Sequence, residues 1–206
     1  MELSVEKAFI LFFFYSFLGW SWETLKYTVE DRRFINRGFL KGPYCPIYGW
    51  GALGILAFLG DIKNTIVLFF AGLMLCTILE YGTSYFMEKI FHKRWWDYSS
   101  YKYNLNGRVC LLCSVSFGAL SVLLIKLVQP VMDKAIFAIP AHLIHSIFIM
   151  AFLIYTVDNL YTFYHITVDI REDIYKRIKT FITPPQWSNE TVLRISEKLF
   201  GGSDDK

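Results

Sequence analysis

Long apolar runs alternate with short charged clusters along the chain, and five of the runs approach the length of a membrane-spanning helix. A helix that crosses the hydrocarbon core needs about 20 mostly apolar residues. By this criterion the predicted spans are roughly 5–27, 44–60, 65–87, 109–128 and 136–160. The second is short, and Gly42, Pro43 and Pro46 predict an irregular start for it. The pattern predicts an all-α, polytopic membrane protein with five transmembrane helices.

Positive charges indicate how these helices are oriented. Lys and Arg concentrate in cytoplasmic loops of membrane proteins. Of the 21 Lys and Arg residues, 17 lie in the first and third loops and in the tail. The other four are Lys7, Lys63, Lys126 and Lys134, and Lys126 can extend along its helix to the interface. Five spans place both basic loops and the tail on one side, which predicts an outside N-terminus and a cytoplasmic C-terminus in the cell membrane.

The same pattern divides the chain into a transmembrane domain, 1–165, and a cytoplasmic tail, 166–206. Residues 166–182 mix apolar and charged side chains at roughly helical spacing, and Pro184 is expected to end that helix. Two roles remain open for this amphipathic segment. It is either a surface helix that rests on the membrane or the protein, or a docking helix for a cytoplasmic partner.

Composition narrows the function classes. Charged residues make up 19% of the 206 residues, against about 25% in soluble domains, and the net charge of +3 gives no reason to expect nucleic acid. The four cysteines lie in or beside apolar segments, which favours free thiols over a disulfide framework. The chain lacks a G-x-x-x-x-G-K-[ST] phosphate loop and the H-E-x-x-H and G-x-S-x-G signatures. No cofactor is expected, and an enzyme is the less favoured class.

Two helical hairpins follow a similar plan. An uncharged run of fifteen residues precedes Glu23 in the first hairpin and Glu80 in the second. A basic loop follows each Glu, and the returning helices carry Trp50-Gly51-Ala52-Leu53 and Phe117-Gly118-Ala119-Leu120. Both hairpins run in the same direction, so the pattern predicts two parallel repeats plus one further helix. Chance similarity of two apolar hairpins is the alternative.

Glu23 and Glu80 are the main candidates for chemistry. Fifteen helical residues rise by about 22 Å of a roughly 30 Å core, which places both carboxylates at one depth inside the cytoplasmic boundary. A carboxylate there must be neutral, paired or in contact with water. Arg37 and Arg108 are the available partners. The group is either a buried ion pair that fixes helix packing or a cytoplasm-facing pocket for a cation or polar substrate.

Further polar candidates lie on the third helix and on the loop that follows it. They are Ser84, Asp97 and Asn106. Ser84 shares a helical stripe with Glu80, whereas Asp97 belongs either to an interfacial aromatic belt or to the site. His142 and His145 are three residues apart, but without further ligands they are expected to hydrogen-bond to neighbouring helices, and no metal site is predicted.

Several motifs together resemble a known family. They are Tyr15-Ser16-x-x-Gly19-Trp20-x-x-Glu23, Asn36-Arg37-Gly38-Phe39-Leu40-x-Gly42-Pro43-x-Cys45-Pro46-Ile47-Tyr48-Gly49, Leu79-Glu80-Tyr81-x-Thr83-Ser84, Trp95-Trp96-Asp97-Tyr98-Ser99 and Asn106-Gly107-Arg108-Val109-Cys110. Over about residues 9–165 the chain resembles a bacterial membrane-protein family known as putative type IV ABC-transporter proteins, or ABC transporter permeases. The resemblance implies a permease-like role and a separate ABC ATPase, and it is compatible with a homodimer among membrane lipids.

Three functional hypotheses follow. The first is a transport component whose cytoplasm-facing pocket is lined by Glu23, Arg37, Glu80 and Arg108. The second is an intramembrane enzyme that uses acidic residues near the cytoplasmic interface on a lipid-like substrate. The third is a regulatory or assembly subunit without a substrate.

Overall fold

The computed structural model describes residues 4–182 of the chain, except for the side chains of 173 and 176–182. Its elements are α1 (Val5–Asp31), α2 (Pro46–Leu59), α3 (Thr65–Phe91), β1 (Asn104–Leu105), β2 (Val109–Cys110), α4 (Leu111–Leu123), a π-helical turn (Leu124–Val128), α5 (Gln129–Phe137) and α6 (Ala141–Ile182). The chain divides into two units, Met1–His165 and Ile166–Lys206. All site residues discussed below belong to the first unit. The predicted helix stop at Pro184 lies outside the described residues.

Among the residues that the structure describes, four helices are long and apolar enough to cross a membrane. They are Val5–Asp31, Thr65–Phe91, Leu111–Phe137 and Ala141–Glu172. These correspond to the first, third, fourth and fifth predicted spans, so the all-helical, multi-pass architecture is confirmed. The remaining helix, α2, has 14 residues. A helix of that length spans about 21 Å, which is short of the roughly 30 Å hydrocarbon core. The count of five spans and their orientation therefore stay predictions.

The fourth span is longer than the predicted 109–128. It continues through the π-helical turn into α5 and ends at Phe137. The proline ring of Pro130 would clash with the carbonyl four residues earlier in a regular α-helix, and the π-helical turn lies immediately before it. Lys126 extends to the connection between α2 and α3, where its Nζ donates to the Lys63 carbonyl at 2.9 Å. A charge inside the run therefore does not end the helix.

In each helical hairpin the two helices pack against each other at a glycine. The most extensive helix contacts join α1 to α2 and α3 to α4. Gly49 of α2 lies against Phe12 of α1, and Gly118 of α4 lies against Phe69 of α3. The missing side chain lets the backbones approach closely, as is common in membrane helix pairs. Gly51, matched to Gly118 in the sequence pattern, makes no such approach, since a Cβ added there would meet nothing within 4 Å, so the glycine at the crossing is two residues earlier.

One apolar core connects the helices of the first unit. Its buried members come from α1, α2, α3, the fourth span and the start of α6: Leu11, Tyr15, Ala52, Ile55, Leu59, Leu68, Cys76, Leu124, Ile136 and Ile144. The loop that follows α1 reaches the C-terminal end of α3, since the ring centroids of Phe39 and Phe91 are 5.5 Å apart. Glu23 and Glu80 lie in the C-terminal halves of α1 and α3.

Candidate functional site

The end of α1 brings Arg37 back to the level of Glu23. Arg32 closes the helix in the left-handed conformation, with φ of 54°. The chain then turns back along the helix, and the hydroxyl of Thr24 accepts from the backbone N–H of Arg37 at 3.4 Å. Nε of Arg37 lies 3.9 Å from Oε2 of Glu23, and the guanidinium lies 4.0 Å from the ring centroid of Tyr27. Arg37, expected together with Arg108 as an available partner of the two carboxylates, thus lies beside Glu23.

Tyr48 of α2 completes the surroundings of Glu23. Its hydroxyl donates to Oε1 of Glu23 at 2.6 Å. Its ring lies directly on Gly19, one turn earlier on α1, where any side chain would overlap it. The sequence analysis did not identify Tyr48 as a site residue, because an uncharged tyrosine in an apolar helix gives no signal. Gly19 and Tyr48 both occur in the quoted motifs, but their contact follows only from the packing of α1 on α2.

Glu80 is the most buried carboxylate of the site, with 5% of its surface exposed. Its Oε1 accepts from the hydroxyl of Tyr98 at 3.0 Å. Its Oε2 is closed to solvent and has no hydrogen-bond partner among the described residues. Glu23 lies on α1, and its side chain is 28% exposed, so it is less buried than Glu80. We call Glu23 and Glu80 the glutamate pair.

Tyr98 reaches Glu80 from the loop between α3 and α4. Burial raises the pKa of the Tyr98 hydroxyl well above its ordinary value. At neutral pH this hydroxyl therefore stays a hydrogen-bond donor to the carboxylate. As with Tyr48, the sequence analysis missed this residue, although it quoted the motif that contains it.

Arg108, considered as a partner for Glu80, lies instead against Glu88, two turns farther along α3. Its Nη2 is 2.6 Å from Oε2 of Glu88, and its Nη1 donates to Oγ of Ser84 at 3.3 Å. Arg94 also donates to Oε2 of Glu88, at 2.9 Å. We call Ser84, Glu88, Arg94 and Arg108 the Arg108 cluster. Glu88 is the centre of this cluster, because both arginines contact its Oε2.

A small hairpin sets the position of Arg108. β1 and β2 pair in antiparallel register and are connected by residues 106–108, of which Asn106 and Gly107 have φ of 53° and 68°. Positive φ at both positions is the type I′ turn that Asn-Gly favours. The Asn106 side chain donates to the hydroxyl of Tyr81 at 3.0 Å, which ties the turn to α3. The Asn-Gly signal was present in the sequence, but the hairpin was not predicted.

Asp97 stabilises its own turn. Its Oδ1 accepts from the hydroxyl of Ser99 at 2.5 Å and from the backbone N–H of Ser99 at 2.9 Å. These two hydrogen bonds, the hydroxyl first, lower the pKa of Asp97 below its usual range. The next residue, Tyr98, donates its backbone N–H to the carbonyl of Gly107 at 2.8 Å. The turn at Asp97 is thus the support from which Tyr98 extends to Glu80.

Asp158 of α6 holds the loop before α2, a role that the sequence analysis missed. Its two carboxylate oxygens accept from the backbone N–H of Lys41 at 3.2 Å, from that of Gly42 at 2.8 Å and from the Tyr44 hydroxyl at 2.6 Å. An acidic residue inside an apolar span is itself a signal for such a role. Asp158 positions the loop that carries Arg37.

The two histidines that were considered as metal ligands make simple hydrogen-bonding contacts. Nδ1 of His145 is 2.6 Å from Oε1 of Glu6, which links α6 to the start of α1. His142 contributes its carbonyl to a hydrogen bond from Ser146. Within the described residues the four cysteines are free, and no group of three or more His, Cys, Asp or Glu side chains is arranged to hold a metal ion.

A comparison with protein families identifies the chain's relatives as a group. The family model described as "Putative ABC-transporter type IV" matches residues 10–163. Neither a curated protein nor a solved structure matches the chain. The family description and the four long apolar helices fit a membrane transport component. Because the match covers the whole helical part that carries the site, the chain belongs to the putative type IV ABC-transporter family.

Proposed function

We propose that the chain is the permease-like component of a transporter, with a polar pocket that opens to the cytoplasm. Glu23, Arg37 and Glu80 would form the pocket where the two helical hairpins meet. The observation that carries this proposal is the buried Oε2 of Glu80, which lacks a hydrogen-bond partner among the described residues. A bound substrate or ion would supply that partner during transport.

A purely structural role explains this carboxylate poorly. A buried acceptor without a hydrogen bond costs about 1–3 kcal/mol, and more when it is charged. An apolar side chain of similar volume would avoid that penalty. Among the described residues the guanidinium of Arg37 is paired with Glu23, while Glu80 interacts with tyrosine and with the like charge of Glu23. The resulting excess of negative charge favours a cationic or hydrogen-bond-donating ligand.

The similar packing of the two hairpins supports a pocket at their interface. In each hairpin a glycine of the returning helix lies against the carbonyl and ring of a phenylalanine, Phe12 in one and Phe69 in the other. Glu23 follows Phe12 by eleven residues, and Glu80 follows Phe69 by eleven residues. This equal spacing supports the predicted parallel repeat, which would relate the two carboxylates by a pseudo-two-fold axis along the membrane normal.

The other predicted site residues would form the rim of the pocket rather than its interior. Ser84 and Arg108 belong to the Arg108 cluster, Asn106 ties the hairpin to α3, and Asp97 supports the turn before Tyr98. These contacts would hold Tyr98 over Glu80 in a closed state. Release of the Arg108 cluster would withdraw Tyr98 and open the pocket to the cytoplasm.

Orientation and partners complete the proposal. The excess of Lys and Arg in the first and third loops and in the tail favours a cytoplasmic position for these segments. Because the chain carries no phosphate loop of its own, ATP hydrolysis would need a separate ABC ATPase. That ATPase would bind on the cytoplasmic side. The transmembrane part would be 1–165 and the cytoplasmic tail 166–206, within a cell-membrane complex that would contain two copies.

The intramembrane enzyme remains the second candidate. Tyrosine hydroxyls that donate to both members of the glutamate pair favour it, since acid–base catalysis uses carboxylates in such shielded surroundings. An enzyme would turn over a lipid-like substrate as a purified single chain. A permease component would not.

Purification of the tagged chain from its native membrane in mild detergent tests the proposal. We expect a stoichiometric ABC ATPase, whose hydrolysis in the complex with Glu80→Gln falls to the rate of the ATPase alone. Glu30→Gln is the matched control, because Glu30 is an exposed glutamate near the end of α1. Lipid turnover without an ATPase would support the enzyme instead. An unaffected Glu80→Gln complex would remove Glu80 from the transport site.

A further inference from the structure

Oε2 of Glu80, which has no hydrogen-bond partner among the described residues, differs from an ordinary ligand-binding position because it is not open to solvent. Oε2 is closed to solvent, and the whole residue is 5% exposed. The carboxylate is thus sealed in the closed state, with Tyr98 bound to its other oxygen. A ligand with heavy atoms would need space beside Oε2, whereas a proton needs none. The closed geometry therefore favours the smallest cation.

The charged and titratable groups around Glu80 also favour a bound proton. The Tyr98 hydroxyl donates to Glu80 from the loop, and the titratable groups that act on this carboxyl electrostatically are Glu23 of α1, Tyr48 of α2, Cys76 of α3 and Cys113 of α4. All of these groups are neutral or negative at neutral pH. The nearby cation Arg108 contacts Glu88 and Ser84, and Arg37 contacts Glu23. No positive charge among the described residues is paired with Glu80.

We propose that Glu80 binds a single exchangeable proton, carried by Oε2, in the closed state at neutral pH. A carboxyl group that is buried without a paired cation is more stable in its neutral form, because burial removes the hydration that stabilises the charged form. Glu23 differs from Glu80 in its surroundings, because Arg37 lies beside it and Tyr48 donates to it. With this proton the site is electrically neutral: Glu23 balances Arg37, and Glu80 is uncharged.

Opening of the pocket would then be linked to proton exchange. Withdrawal of Tyr98 would expose Glu80 to water, where a carboxyl group is ionised at neutral pH, so its proton would leave to solvent. The site would then carry one net negative charge, available to a cationic ligand. This step rests on the proposed function for its place in transport, but the bound proton itself does not depend on an ATPase.

Infrared spectroscopy of the purified, full-length protein in lipid nanodiscs tests the inference. At neutral pH we expect a C=O stretching band of a protonated carboxyl group, equivalent to one group per chain, that shifts in D₂O. Glu80→Gln should abolish the band, and the exposed-residue control Glu30→Gln should retain it. Glu23→Gln should weaken it, because loss of the neighbouring negative charge makes ionisation of Glu80 easier. If the band disappeared in Glu80→Gln only through a structural side effect, Glu23→Gln would leave the band unchanged.

Each result decides the inference. A wild-type spectrum with only ionised carboxylate bands would overturn it without any variant, and so would a protonated band that Glu80→Gln leaves in place. An ATPase complex with an ionised Glu80 would preserve the transport role and remove the proton. A protonated Glu80 in a chain without an ATPase partner would preserve the proton and remove the permease role.

Discussion

Alanine at Gly49 should destabilise the first hairpin, whereas alanine at Gly51 should not. A Cβ at Gly49 would lie 2.6 Å from the carbonyl oxygen of Phe12 and would also overlap the hydroxyl of Ser16. The carbonyl belongs to the α1 backbone and cannot rotate away, so α2 must shift. At Gly51 nothing lies within 4 Å of the same added atom.

The magnitude follows from the difference between these two sites. Both substitutions replace a glycine by alanine inside α2, so the gain in helix propensity, about 1 kcal/mol, is shared and cancels. Overpacking of a well-packed contact costs about 1–3 kcal/mol. The free energy of unfolding of Gly49→Ala should thus lie about 1–3 kcal/mol below that of Gly51→Ala.

Equilibrium unfolding in mixed detergent micelles, followed by fluorescence of the six tryptophans, measures this difference. The second hairpin offers a parallel pair. Gly118→Ala would place a Cβ 2.9 Å from the Phe69 carbonyl, while Gly82→Ala meets nothing within 4 Å. We expect the same sign there and a smaller difference. Equal stability of Gly49→Ala and Gly51→Ala would refute the assignment of Gly49 as the crossing residue.

Three further substitutions test individual contacts. Tyr15→Phe removes a hydroxyl that donates to Gln129 at 2.6 Å, and it should lower the unfolding free energy by about 0.6 kcal/mol; an unchanged value would contradict this. Asp158→Asn weakens three hydrogen bonds to the loop before α2, so trypsin should cleave at Lys41 faster in the folded protein; an equal rate would exclude the loop-holding role. Arg108→Lys cannot keep both side-chain partners, so its unfolding free energy should fall by about 1 kcal/mol in the same assay. An unchanged value would show that the Arg108 cluster does not contribute to stability.

The sequence was informative about the spans because the bilayer leaves few alternatives. A chain inside hydrocarbon must satisfy its backbone groups internally, so long apolar runs become helices. Four of the five predicted runs are helices of sufficient length. The errors lie at the ends. The fourth helix continues past Lys126, because a long cationic side chain can extend to a backbone carbonyl without interrupting the helix.

The partners of the site residues depended on loop geometry. Equal spacing predicted that Glu23 and Glu80 lie at one depth with Arg37 and Arg108 as available partners, but it did not predict which side chains each arginine contacts. An Asn-Gly hairpin carries Arg108 to Glu88, and a neighbouring turn brings Tyr98 to Glu80. Such paths depend on a few positive φ angles, which hydrophobic periodicity does not encode.

The sequence by itself thus determined the membrane class, the long helices and the two carboxylates inside them, since each depends on the composition of a local segment. Tertiary structure decided that Gly49 rather than Gly51 forms the crossing, that Tyr48 and Tyr98 bind the glutamate pair, and that Asp158 holds a distant loop. These contacts join residues far apart in the chain. The glycine crossing and the Tyr48 contact depend on which faces of two helices meet, which is settled by close packing of the bundle, whereas the contacts of Tyr98 and Asp158 also depend on the path of a loop.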